Sequence, residues 1–150
     1  MTETLAQKKC TPCRGGIPPL TLAEAEHFRS QTPNWELRDD CHRIERTFHL
    51  SNFRAALDFV RDVGDLAETE GHHPDVSFGW GYATISLRTK KIKGLHENDF
   101  IMASKIDRIF DGVDDAPGRP VRSGQLGHGA SSRSFSVGEP LWLSVCLIKR

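Results

Sequence analysis

Two adjacent histidines, His72 and His73, lie between a segment with a helical pattern and a segment with an alternating, strand-like pattern. Histidine is the side chain whose ordinary pKa, about 6.5, allows it to accept or donate a proton near neutral pH. Pro74 follows and disfavours the helical conformation at His73, so the backbone directs the imidazoles. The junction therefore predicts proton transfer or metal binding, and a polar turn between helix and strand is the non-functional alternative.

The segment before the histidines has the clearest helical pattern in the chain. Ser51 is the predicted N-cap, and Gly71 is the predicted end of the helix. Between them, apolar residues recur at steps of three and four, and charged residues fill the remaining positions, as in a helix that lies on a sheet. The apolar positions are Phe53, Ala56, Leu57, Val60, Val63 and Ala67.

Four stretches alternate between apolar and polar residues and are predicted to be strands. The first two, residues 35–38 and 42–50, are joined by the turn at 39–41. The other two, residues 75–79 and 82–88, follow the histidines and are joined by a tight turn at 79–81.

Two further helices complete the predicted fold. A capping box at Thr21 and Glu24 opens a short helix that reaches about Ser30. A third helix begins near Glu97, and its apolar arc is wide enough to contact both its own sheet and a neighbouring subunit. We expect a single α+β domain in which helices cover one face of a four-stranded antiparallel sheet.

The length and charge of the chain limit the classes of protein to which it can belong. The chain has 150 residues, enough for one domain, and its 20 basic and 20 acidic residues cancel. No apolar run approaches the ~20 residues of a membrane span. We therefore expect a soluble, cytoplasmic protein with no nucleic-acid or membrane partner.

The two ends of the chain differ from the middle. Residues 1–20 are predicted to be a flexible leader, and they contain Cys10 and Cys13 in a Cys-x-x-Cys spacing. Zinc would need two more ligands, and a redox site would need a different framework, so a flexible pair is our expectation and those two remain as alternatives. Residues 112–150 are rich in Gly, Ser, Pro and Arg, lack a period, and are predicted to be a disordered tail that ends in the apolar run 141–148.

The order of elements and the residues around the histidines resemble the pterin-4a-carbinolamine dehydratase family. The resemblance covers residues 21–111, and the matching motif consists of Glu68, His72, His73, Pro74, Trp80 and Asp99. It implies a lyase that dehydrates 4a-hydroxytetrahydrobiopterin to quinonoid dihydropterin during pterin recycling, without a metal or other cofactor. It also implies that His72 and His73 are catalytic, that the substrate-binding residues are Glu68, Pro74, Trp80, Lys90 and Asp99, and that the protein is a homodimer or homotetramer.

One residue departs from the family pattern. Lys90 stands where the family carries a third histidine, and an ordinary lysine, with a pKa near 10.4, can only donate a proton. We therefore expect reduced activity unless His96 folds back into the site. The alternative function is a non-catalytic binding or assembly factor with a protein partner, of the kind linked to Rubisco assembly or to transcription-factor dimerisation. A metalloprotein is less favoured because adjacent residues on an extended segment point to opposite faces.

Overall fold

The computed structural model describes residues 3–12 and 15–114. The elements along the chain are α1 (Leu22–Arg29), β1 (Glu36–Arg38), β2 (Arg43–His49), α2 (Phe53–Glu70), β3 (Asp75–Gly79), β4 (Tyr82–Leu87) and α3 (Glu97–Asp114). The strands form one antiparallel sheet in the order β1-β2-β4-β3, so the predicted α+β fold is confirmed. Among the described residues, none of the helices could serve as a membrane-spanning segment.

The sheet has one apolar face and one polar face, as the alternation predicts. Ile44 and Phe48 of β2 and Ile85 and Leu87 of β4 are buried under α2 and α3. Arg46 also lies on this face. Its guanidinium is 4.3 Å from the centre of the Phe48 ring and is bonded to a carboxylate of α3, so its charge is compensated there. The opposite face carries hydroxyl groups, including those of Thr47 and Thr84, whose oxygens are 2.9 Å apart.

Both ends of α2 are fixed by local hydrogen bonds. The predicted N-cap, Ser51, is wrong by one residue: the side chain of Asn52 accepts the backbone N–H of Ala55, and an amide oxygen caps a helix as well as a hydroxyl does. The predicted end is confirmed, since Gly71 adopts a left-handed conformation with φ of 64°. The N–H of the next residue, His72, bonds to the Ala67 carbonyl, which gives the helix a Schellman-type ending.

Part of the predicted flexible leader packs against the domain instead. Leu5, in a 3₁₀ turn at Leu5–Gln7, is buried in the core and contacts α3. This segment and α1 both contact α3 and help to bury its wide apolar arc, and the expected contact of α3 with a neighbouring subunit stays a prediction. Helix α3 also continues to Asp114, three residues beyond the predicted end of the domain, and the rest of the predicted tail lies outside the described residues.

Candidate active site

The ending of α2 directs the two histidines into different environments. The His72 ring is buried, with 5% of its surface exposed, and its Nε2 lies 2.7 Å from Oδ1 of Asp99. The His73 side chain is 61% exposed, and its Nε2 lies 3.0 Å from Oε1 of the exposed Glu68. Each imidazole is therefore oriented by its own carboxylate.

Asp99 is buried and accepts three hydrogen bonds. Besides His72 at Oδ1, its Oδ2 accepts the hydroxyl of Thr89 at 3.0 Å and the backbone N–H of His96 at 2.8 Å. An ionised carboxylate only accepts hydrogen bonds, so Nε2 of His72 is the donor in this contact. In this arrangement the carboxylate can stabilise a positive charge on the ring.

The start of α3 holds Asp99 in place. His96 is the residue before the helix, and its Nδ1 accepts the N–H of Asn98 at 3.2 Å while its own N–H donates to Asp99. This reciprocal pattern is that of a capping box, with a histidine and an aspartate in place of the usual residues. His96 does not fold back into the site, because its ring caps the start of α3, so the exception to the expected loss of activity does not apply.

The two histidines share a cleft of about 550 Å³ with residues from three parts of the chain. It is lined by residues 10–12, 70–73 and 88–91. Lys90 belongs to this lining, and its ammonium donates to Oδ1 of Asp75 at 2.9 Å near the start of β3. The cation at the third-histidine position is thus paired with a carboxylate on the exposed side of the cleft.

The predicted site residues separate into three groups. His72, His73 and Lys90 line the cleft, while Glu68 and Asp99 contact the two imidazoles. Pro74 lies between His73 and β3, and Trp80 lies in the turn at the opposite end of the β3–β4 hairpin, 74% exposed and outside the cleft lining. Among the residues the structure describes, no group of three or more potential ligands could hold a metal ion.

Several residues of the site had no sequence signal of their own. Thr89 binds Asp99, and Glu70 binds both the Cys10 amide, at 2.9 Å, and the ammonium of Lys105. Burial alone would raise the pKa of Glu70, but the Cys10 amide and Lys105 together hold it below its ordinary value. The only available hint was position, since Glu70 directly precedes Gly71 and Thr89 directly precedes Lys90.

The chain is similar to a known protein family and to individual members of it. The profile of the family described as Pterin 4 alpha carbinolamine dehydratase matches residues 18–109. A relative from Cupriavidus pinatubonensis, provisionally named pterin-4-alpha-carbinolamine dehydratase 1, is 59% identical over 113 residues, which are 75% of this chain and 97% of that protein.

Two solved structures are also similar. One is titled a transcriptional coactivator/pterin dehydratase from Brucella melitensis; it is 27% identical, with a TM-score of 0.58, and the match covers 61% of this chain and 97% of that one. The other is titled a pterin dehydratase-like protein that is a RuBisCO assembly factor in the alpha-carboxysome. It is 20% identical, with a TM-score of 0.46 over 51% of this chain and 89% of that one, a similarity too low to support an argument about function.

The hydrogen bonds of Asp99 lead to a stability prediction. Asp99→Asn replaces one acceptor oxygen by a donor, so a buried donor loses its partner, and unfolding in urea should show a loss of about 1–3 kcal/mol. Thr89→Val removes one of the same bonds. The loss of unfolding free energy in the double variant should therefore differ by about 1 kcal/mol from the sum of the losses in the two single variants. Glu68→Gln makes the same chemical change beside the exposed histidine and should cost less than about 0.5 kcal/mol. Equal effects of Asp99→Asn and Glu68→Gln would contradict the role given to Asp99.

Proposed function

Because the chain belongs to the pterin 4 alpha carbinolamine dehydratase family, we propose that it dehydrates 4a-hydroxytetrahydrobiopterin to quinonoid dihydropterin. The supporting observation is the placement of two imidazoles in one cleft, each bonded to its own carboxylate. The cleft also has the size typical of a small-molecule site.

The reaction needs a base and an acid together. The N5–H proton of the carbinolamine is lost, the C4a–O bond breaks, and the departing hydroxyl takes up a proton and leaves as water. The electron pair of the N5–H bond forms the new C4a=N5 double bond, so the ring changes without an external oxidant. His72 and His73 act as the pair that accepts the first proton and supplies the second.

The two histidines differ in solvent exposure, which suits the transfer of one proton from the substrate and one proton to it. His72 is shielded from water, so its proton exchange goes through the cleft, whereas His73 is open to solvent and recovers its starting protonation after each turnover. Lys90 is bonded to Asp75 and contributes positive charge rather than a second base. We therefore expect an enzyme with lower activity than a relative with three histidines.

Replacing the histidines tests the proposed site. His72→Ala and His73→Ala should each lower kcat/KM for carbinolamine dehydration by about a hundredfold or more, since each removes a general acid or base. The measurement is the appearance of quinonoid dihydropterin after subtraction of the uncatalysed rate. His27→Ala, on the exposed surface of α1, is the control and should keep the wild-type rate. Wild-type rates in both cleft variants would overturn the assignment of the site.

Lys90 distinguishes the enzyme from the alternative function. Lys90→His supplies the missing imidazole and should raise kcat by about tenfold, which corresponds to ~1.4 kcal/mol of barrier. Lys93→His places an imidazole on the same loop but outside the cleft lining, and should leave kcat unchanged. Turnover by neither the wild type nor Lys90→His, together with no pterin binding, would overturn the enzyme proposal in favour of a non-catalytic binding or assembly factor.

An exposed apolar surface supports a homo-oligomer. We call it the edge patch: Phe53 and Leu57 of α2, Val76 and Phe78 of β3, and Trp80 in the following turn. The Phe53 and Phe78 rings are 5.8 Å apart, and β3 is an edge strand, so its outer backbone groups have no partner strand within the described sheet. We infer that a second copy covers this patch, because one surface that offers both strand pairing and apolar side chains can be self-complementary.

Charge introduced into the edge patch should separate the copies. Val76→Lys combined with Phe78→Lys places two like charges in the contact, and light scattering after size-exclusion chromatography should show a shift from oligomer to monomer. Leu22→Lys is the matched control, since Leu22 is an exposed apolar residue on α1 outside the patch. A wild-type protein that is monomeric at micromolar concentration would contradict the inference.

A further inference from the structure

Residues 3–12 form a segment, here called the strap, that lies before the region matched by the family profile yet reaches the cleft. The profile match begins at residue 18. Leu5 anchors the strap in the core, Lys8 pairs with Glu97 at the start of α3, and residues 10–12 form part of the cleft lining. The cleft therefore combines the strap with two segments of the region that the family profile matches.

Asn98 is the main polar anchor of the strap. It is buried, with its Oδ1 accepting the N–H of Thr11 at 3.0 Å and the Thr11 hydroxyl at 3.3 Å, and its Nδ2 donating to the Thr11 carbonyl at 2.7 Å. Glu70 adds a second anchor through the Cys10 amide. These bonds pair the backbone of the strap with side chains at the end of α2 and the start of α3.

The strap differs in chemistry from the rest of the cleft. The other lining residues are mainly charged or polar, among them Glu70, His73, Arg88 and Lys91. The strap contributes the Pro12 ring and the thiol of Cys10, whose pKa burial and the Glu70 carboxylate raise to about 12. Cys10 therefore stays uncharged at neutral pH and presents a neutral thiol beside the Pro12 ring.

We propose that the strap is the wall against which the flat ring of the substrate packs, with Pro12 as its contact surface and Asn98 as the residue that positions it. The inference rests on the proposed function, since a bicyclic pterin has polar edges and two flat faces. Charged groups on the lining suit the edges, whereas a proline ring and a neutral thiol suit a face. The strap binds the substrate and takes no part in proton transfer.

Two variants separate contact from anchoring. Pro12→Ala removes ring methylenes that would touch the substrate and should raise KM by about fivefold, while kcat stays within about twofold of wild type. Asn98→Ala releases Thr11 and should raise KM similarly, while the amide of Thr11 exchanges with deuterium at least about tenfold faster. Lys9→Ala, an exposed strap residue outside the cleft lining, is the control and should change neither KM nor exchange.

The outcomes distinguish this inference from the proposed function. A raised KM in both Pro12→Ala and Asn98→Ala, with wild-type kcat in Pro12→Ala, supports the strap as a binding wall. Unchanged KM in Pro12→Ala, or unchanged KM in Asn98→Ala despite faster exchange of Thr11, overturns the strap inference and leaves the dehydratase proposal standing. Absence of carbinolamine turnover by the wild-type protein overturns the proposed function, and the strap inference falls with it.

Discussion

The buried carboxylate of Asp99 is the group on which the candidate site depends. It joins the first turn of α3, the segment after β4 and the ring of His72 through three hydrogen bonds. A buried carboxylate is costly unless its oxygens are bonded, and each of these partners also needs an acceptor. The start of a helix, the end of a hairpin and the His72 imidazole are therefore held in one arrangement by a single side chain.

The two histidines show how adjacent residues acquire different properties. The Schellman-type ending of α2 ties the backbone of His72 to Ala67, and the chain then extends through His73 and Pro74 into β3. In an extended chain, successive side chains point in opposite directions, so one ring turns toward Asp99 and the other toward Glu68. As a result, His73 is open to solvent, whereas His72 is shielded from it.

Charges around the cleft are mostly paired, which affects what a ligand encounters. Lys90 is bonded to Asp75, and Lys105 is bonded to Glu70, whose second oxygen holds the Cys10 amide. The Asp75 carboxylate offsets the positive charge that Lys90 brings to the cleft. Glu70 is paired with Lys105 and also holds the strap through the Cys10 amide. One carboxylate therefore affects both the charge of the cleft and its shape.

The sequence by itself determined the elements, because periodicity and capping are local: the apolar spacing of α2, the Thr21 capping box and the alternation in the strands all act over a few residues. It also brought His72 and His73 to a defined junction. Only the tertiary structure decided which carboxylate each histidine meets, that Trp80 lies at the far end of its hairpin, and that Thr11 reaches Asn98 across 87 positions of sequence. Such contacts depend on how completed elements pack together, and no short spacing in the chain encodes that geometry.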